Sequence, residues 1–135
     1  MIRIVVDSSC DLPDEFIREN QIEVVPLYLR IGDKFLRDRI DITPKESFDL
    51  MRKGHRLFTS QPTISDFTKI YKKILSAGDE IITVLITGKG SGTVNVARIA
   101  TEEVNKDKIS IVDSTQISGG IGFVVKKIVS LIKQG

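Results

Sequence analysis

The side chains of this sequence that could do chemistry are mostly hydroxyls. Asp7, Ser8, Ser9, Thr87, Ser91, Thr93, Asp113, Ser114 and Thr115 stand at or just beyond the ends of short apolar runs. Hydroxyls so placed either hydrogen-bond a carboxylate or phosphate, or close turns and cap helices, the commoner use of any one of them. The sharpest local signal is Gly88-Lys89-Gly90-Ser91-Gly92-Thr93, between an apolar run and a helical pattern. In that setting backbone amides can cradle an anion. No lysine follows the last glycine and the spacing is too short for a P-loop, nor does it fit G-x-G-x-x-G. Thr59-Ser60 precedes a second helical pattern and can join the same rim. Asp7 and Asp113 have the residue type for a metal ligand or an acid/base pair, although Asp at a strand end more often holds backbone N–H groups.

What is scarce narrows the chemistry further. One cysteine, Cys10, and one histidine, His55, allow neither an internal disulfide nor a thiolate or histidine metal cluster. No nucleophile has an evident base beside it, so no catalytic residue and no metal site is assigned. A net charge of +2, with 20 Lys and Arg against 18 Asp and Glu, gives no footprint for nucleic acid. No apolar run is long enough to span a membrane, and the first residues read as a strand and not a signal segment. The expected location is the cytoplasm.

The elements that must position these side chains follow from periodicity. A length of 135 residues fits one domain over 1–135. Short β-branched runs alternate with helical patterns, as in β-α-β units on a parallel sheet. Residues 2–6 form a first strand, and Asp14-Glu15 after Pro13 suit a helix first turn. Residues 22–31 form a second strand that Pro26 must bend or move to an edge. Gly32-Asp33-Lys34 reads as a turn into a short antiparallel strand. Thr43-Pro44-Lys45-Glu46 is a capping box for a helix turning Phe48, Met51 and Leu50 inward. Residues 58–62 read as a polar loop, and Thr63 caps a helix with Phe67, Tyr71 and Ile74 inward. Residues 81–86 suit a strand covered on both faces, 109–113 a last one. The segment 119–133 is apolar nearly all round, which predicts burial between two surfaces.

Taken in order, several stretches resemble DegV proteins. They are Asp7-Ser8-Ser9-Cys10-Asp11-Leu12-Pro13, Ile22-Glu23-Val24-Val25-Pro26-Leu27, Arg37-Asp38 before Asp41-Ile42-Thr43-Pro44, Thr59-Ser60-Gln61-Pro62, Ser91-Gly92-Thr93 with Ala97-Arg98 behind it, and Val112-Asp113-Ser114. The resemblance runs the length of the chain. It implies a three-layer α/β/α domain with a mainly parallel sheet, like the N-terminal domain of that family. It also implies a bound long-chain fatty acid, with Thr59 and Ser91 hydrogen-bonding its carboxylate and Ser60, Gly92 and Thr93 close by. The implied partner is a fatty acid kinase; no cofactor is implied. Family members are about twice this length, so a second domain that completes the tail pocket is expected to be absent, leaving a separate C-terminal half or self-association to supply it. Gly88 and Gly90 stand where the family has bulkier residues, and Thr63 where it more often has serine. The residues by themselves leave open a phosphate- or nucleotide-binding enzyme domain built on the 88–93 loop.

Overall fold

In a computed structural model covering residues 1–135, the first six-residue strand, β1 (Ile2–Asp7), divides two cores. Its alternation decides this: Val5 faces one side of the sheet, Ile4 and Val6 the other. A 3-10 turn (Ser8–Cys10) and α1 (Asp14–Glu19) lead to β2 (Glu23–Val25). Later come α3 (Ile64–Ser76), β6 (Glu80–Leu85), α4 (Thr93–Thr101), β7 (Ile109–Asp113) and α5 (Gly119–Gln134). The parallel sheet has the order β2-β1-β6-β7. Phe67, Tyr71 and Ile74 of α3 and Val94, Ala97 and Ala100 of α4 cover the face carrying Val5, Ile81 and Leu85. Ile121, Val125 and Val129 of α5, with Phe16 and Ile17 of α1 at the edge, cover the face carrying Ile4, Val6 and Val84. The expected three-layer α/β/α arrangement is therefore present.

Between β2 and α3 the chain leaves this sheet. Pro26 has no N–H to continue a ladder, and the next N–H, of Leu27, donates to Ser8 Oγ at 3.1 Å. The chain then builds a small antiparallel sheet, β4-β3-β5, from β3 (Tyr28–Ile31), β4 (Lys34–Arg37) and β5 (Phe58–Ser60), with α2 (Pro44–Arg52) between the last two. The stretch 22–31 is thus two strands in two sheets, parted at the predicted proline. Strand β5 falls where the sequence reads as loop. It pairs with β3 in the register Leu29↔Thr59 and Arg30↔Phe58, and the Arg30 guanidinium lies 5.0 Å from the centroid of the Phe58 ring. Both capping boxes form: Glu46 N–H donates to Thr43 Oγ1 and Thr43 N–H to Glu46 Oε2, and Thr63 and Asp66 repeat the pattern.

One helix differs from its periodicity, and another keeps one apolar side open within this chain. Phe48 and Met51 of α2, expected inward, are 57% and 45% exposed, and the buried residue of that helix is Ser47. In α5, Phe123 is 75% exposed although Ile121 and Val125 are fully buried, so one surface covers this helix and not two. Gly122 allows α5 its close approach: a Cβ there would meet the Cys10 carbonyl oxygen at 3.2 Å.

Candidate functional site

Strands β1 and β6 are neighbours whose connections leave in opposite directions, which makes the gap beyond their carboxyl ends the topological switch point of the sheet. The Asp7 side chain fills that gap. One oxygen accepts from the Ser9 hydroxyl and the Ser9 N–H (3.0 Å), the other from Ile86 N–H at 2.7 Å. Asp7 has no exposed surface, and burial raises its pKa despite these donors. A side chain of the protein thus occupies the place where an open α/β sheet commonly receives an anion.

The glycine loop is consumed in the same manner. Thr87 N–H donates to the Gln116 carbonyl (3.0 Å), Gly88 N–H to Asp113 Oδ2 (3.1 Å), Lys89 N–H to Thr87 Oγ1 (3.3 Å), and both Gly90 and Ser91 N–H to the Thr87 carbonyl (3.1 Å each). Every N–H from Ile86 to Ser91 therefore ends on a protein acceptor. A phosphate cradle needs free amides, and within the 88–93 loop only Gly92 N–H is left without a protein acceptor, which weakens the nucleotide-binding use of that loop. Asp113 takes Gly88 and Thr115 N–H groups, Ser8 accepts from Leu27, and Ser114 Oγ accepts from Gln116 N–H. These are turn-closing roles. No three His, Cys, Asp or Glu side chains gather anywhere in the chain. Burial pushes the Cys10 thiol up, away from a reactive thiolate.

Of the remaining hydroxyls, those of Thr59, Ser60 and Ser91 line one cleft. Neither the Thr59 nor the Ser60 hydroxyl has a protein partner, and Ser91 Oγ is engaged only by Thr93, whose hydroxyl lies 2.8 Å away and whose N–H donates at 3.2 Å. Thr59, Ser60, Gln61, Ser91 and Gly92 line this cleft of about 480 Å³, with Leu27, Ile86 and Gly90 completing the lining. Thr93 does not line it and has no exposed surface. One wall comes from β5, in the antiparallel sheet, and the other from the β6–α4 turn, in the parallel one. The walls touch where the Gln61 side chain lies across Gly92: a Cβ at Gly92 would stand 1.9 Å from Gln61 Oε1.

A second cleft of about 340 Å³ shares Leu27, Thr59 and Ile86 with the first and continues past Leu29, Phe48 and Met51. Its other lining includes Ser9, Asp11 and Arg39. Sequence reasoning missed this apolar continuation, because it sent Phe48 and Met51 into the core. Thr59 stands at the junction, so a polar pocket and an apolar one meet at a hydroxyl.

Comparison with known proteins bears on the family and the fold. A family profile described as "Uncharacterised protein, DegV family" matches residues 1–135. A DegV domain-containing protein of Staphylococcus aureus is 36% identical over 132 residues, 98% of this chain and 47% of the relative. A DegV domain-containing 15.5 kDa protein of that organism is also 36% identical, over 129 residues, and 91% of it is covered. The chain spans about half the length of the first of these. Among solved structures, a stearic acid-binding protein from Eubacterium ventriosum superposes with a TM-score of 0.96 at 27% identity, over all of this chain and 48% of that one. A DegV family protein from Thermus thermophilus, described by its fatty acid binding, gives 0.90 at 36% identity, over 99% and 48%. The Streptococcus pneumoniae fatty acid kinase B3 protein, loaded with linoleic acid, gives 0.81 at 25%, over 100% and 49%. No helix of the chain is long and apolar enough to cross a membrane.

Proposed function

From the premise that the chain belongs to the DegV family, we propose that it binds a long-chain fatty acid, with Thr59 and Ser91 as donors to the carboxylate and the Phe48–Met51 cleft receiving the tail. One observation carries this reading: a polar cleft with unsatisfied hydroxyls adjoins an apolar one, the two sharing Leu27, Thr59 and Ile86. That arrangement suits an amphipathic ligand with an anionic head. Ser60 and Gly92 line the head-group cleft, and Thr93 backs it.

The absence of a paired nucleophile and base argues for a binding module and against a catalyst. Holding the carboxylate with neutral hydroxyls, and not an arginine fork, leaves an oxygen approachable. This fits presentation of the acid to a fatty acid kinase, the partner we infer. Affinity is divided unequally. Each buried CH₂ contributes ~0.8 kcal/mol, whereas a hydrogen bond to a charged group contributes ~1.5–3 kcal/mol, so the tail dominates binding and the hydroxyls select the head.

Lipid extraction of the purified protein followed by mass spectrometry tests the ligand class; a fatty acid is expected, and a nucleotide in its place would overturn the reading. Titration with oleate tests the residues. Ser91→Ala and Thr59→Ala should each weaken binding by roughly 10- to 100-fold and leave the binding of an uncharged methyl ester almost unchanged.

A further inference from the structure

Ser91 and Thr93 share a hydrogen bond whose direction the heavy atoms alone leave open, but the surroundings decide it. Thr93 has no exposed surface, and its hydroxyl has one polar neighbour, Ser91 Oγ at 2.8 Å. If Ser91 donated, the Thr93 proton would be a buried donor with no acceptor, the arrangement proteins avoid most consistently. If Thr93 donates, nothing is left over. The Thr93 N–H donates to the same oxygen at 3.2 Å. A hydroxyl oxygen has two lone pairs, and these two donors fill both.

We propose that Thr93 is a positioning residue that makes Ser91 an obligatory donor: with its acceptor sites filled from behind, Ser91 can only direct its O–H into the cleft it lines. The inference rests on the proposed carboxylate site and deepens it. A donor-only hydroxyl suits an ionised carboxylate, which is acceptor-only, and gives nothing to the proton of a neutral acid. Hydrogen bonding that favours the charged form lowers the pKa of the bound acid. The geometry therefore assigns the site a preference for the anion over the neutral acid, set by a residue that does not touch the ligand.

The test uses the intact chain and oleic acid labelled with ¹³C at its carboxyl carbon, followed by NMR against pH. In the unmodified protein the bound carboxyl should titrate below the free acid. Thr93→Val keeps the shape of the side chain and removes its proton; the bound pKa should rise by about one unit and affinity at pH 8 fall about tenfold. Thr93→Ser, which restores the hydroxyl, should recover both. A valine variant with the parent's pKa and affinity overturns the inference while leaving the fatty-acid reading intact. An unmodified protein that takes up no oleate overturns the fatty-acid reading itself. A further measurement needs no variant. The Thr93 hydroxyl proton, closed off from water, should give a slowly exchanging resonance with cross-peaks to the Ser91 β-protons; a protected Ser91 hydroxyl proton directed at Thr93 is the contrary result.

Discussion

Asp7 stores an electrostatic cost at the centre of the fold. Its pKa is raised first by desolvation, against the lowering effect of the Ser9 and Ile86 donors. A folded value above the unfolded one means that its contribution to stability is complete below the unfolded aspartate value, ~3.9. That contribution is lost as pH rises through the folded value. Asp7→Asn abolishes the titration and turns an amide donor toward Ser9 or Ile86. In urea unfolding the variant should be less stable by about 1–3 kcal/mol, with the gap widest near pH 4 and narrower at pH 7; a gap independent of pH would contradict the raised value. Gly92 behaves differently, because its φ of −75° suits any residue. Gly92→Ala displaces only the flexible end of Gln61, so stability should change by less than about 0.5 kcal/mol while displacement of a fluorescent acyl probe shows weaker binding. The reverse pattern, stability lost and affinity kept, would mean that the Gln61 contact is structural.

At the level of elements, legibility followed locality. Thr43 and Thr63 announced their helices because a capping box lies within four residues, and Pro26 announced the change of sheet because a missing N–H is a property of one residue. Strand β5 was illegible: three residues gain their extended form from β3, nearly thirty positions away, and Phe58-Thr59-Ser60 carries no signal of that partner. The hydroxyls of the candidate site were legible as types and positions, but which of them stay unsatisfied depends on acceptors such as Gln116 and Asp113 that only the fold brings near. Helical periodicity finds an apolar stripe without saying whether core or cleft receives it, and so Phe48 and Met51 were misplaced. The double variant Phe48→Ala/Met51→Ala should therefore keep its unfolding midpoint yet bind long-chain acids less well, with little change for short ones. A loss of about 3 kcal/mol, the scale of a core truncation, would return these side chains to the core. Thr63→Ala should cost about 1 kcal/mol in thermal unfolding, and it also loosens Asp66, whose Oδ2 accepts from the Tyr28 hydroxyl at 3.0 Å.

Across the molecule, apolar surface is unevenly covered. Ile117 just before α5, and Phe123 and Leu131 within it, are 63%, 75% and 51% exposed, and exposed apolar clusters promote association. Sedimentation at several concentrations should show the chain associating, and Phe123→Lys should reduce this without lowering the unfolding midpoint; a chain that stays monomeric throughout would contradict the expectation. The division into two sheets has a consequence in time. Of residues 28–60 only Ile42 and Ser47 are buried, whereas β1 and β6 are buried on both faces. The antiparallel unit should open on its own, at a fraction of the free energy of global unfolding, and its amide protons should exchange with deuterium well before those of β1 and β6. A ligand spanning Thr59 and Ser91 would fasten the fast unit to the slow one, so bound oleate would slow exchange in β3 and β5 while leaving the parallel strands at their own rate.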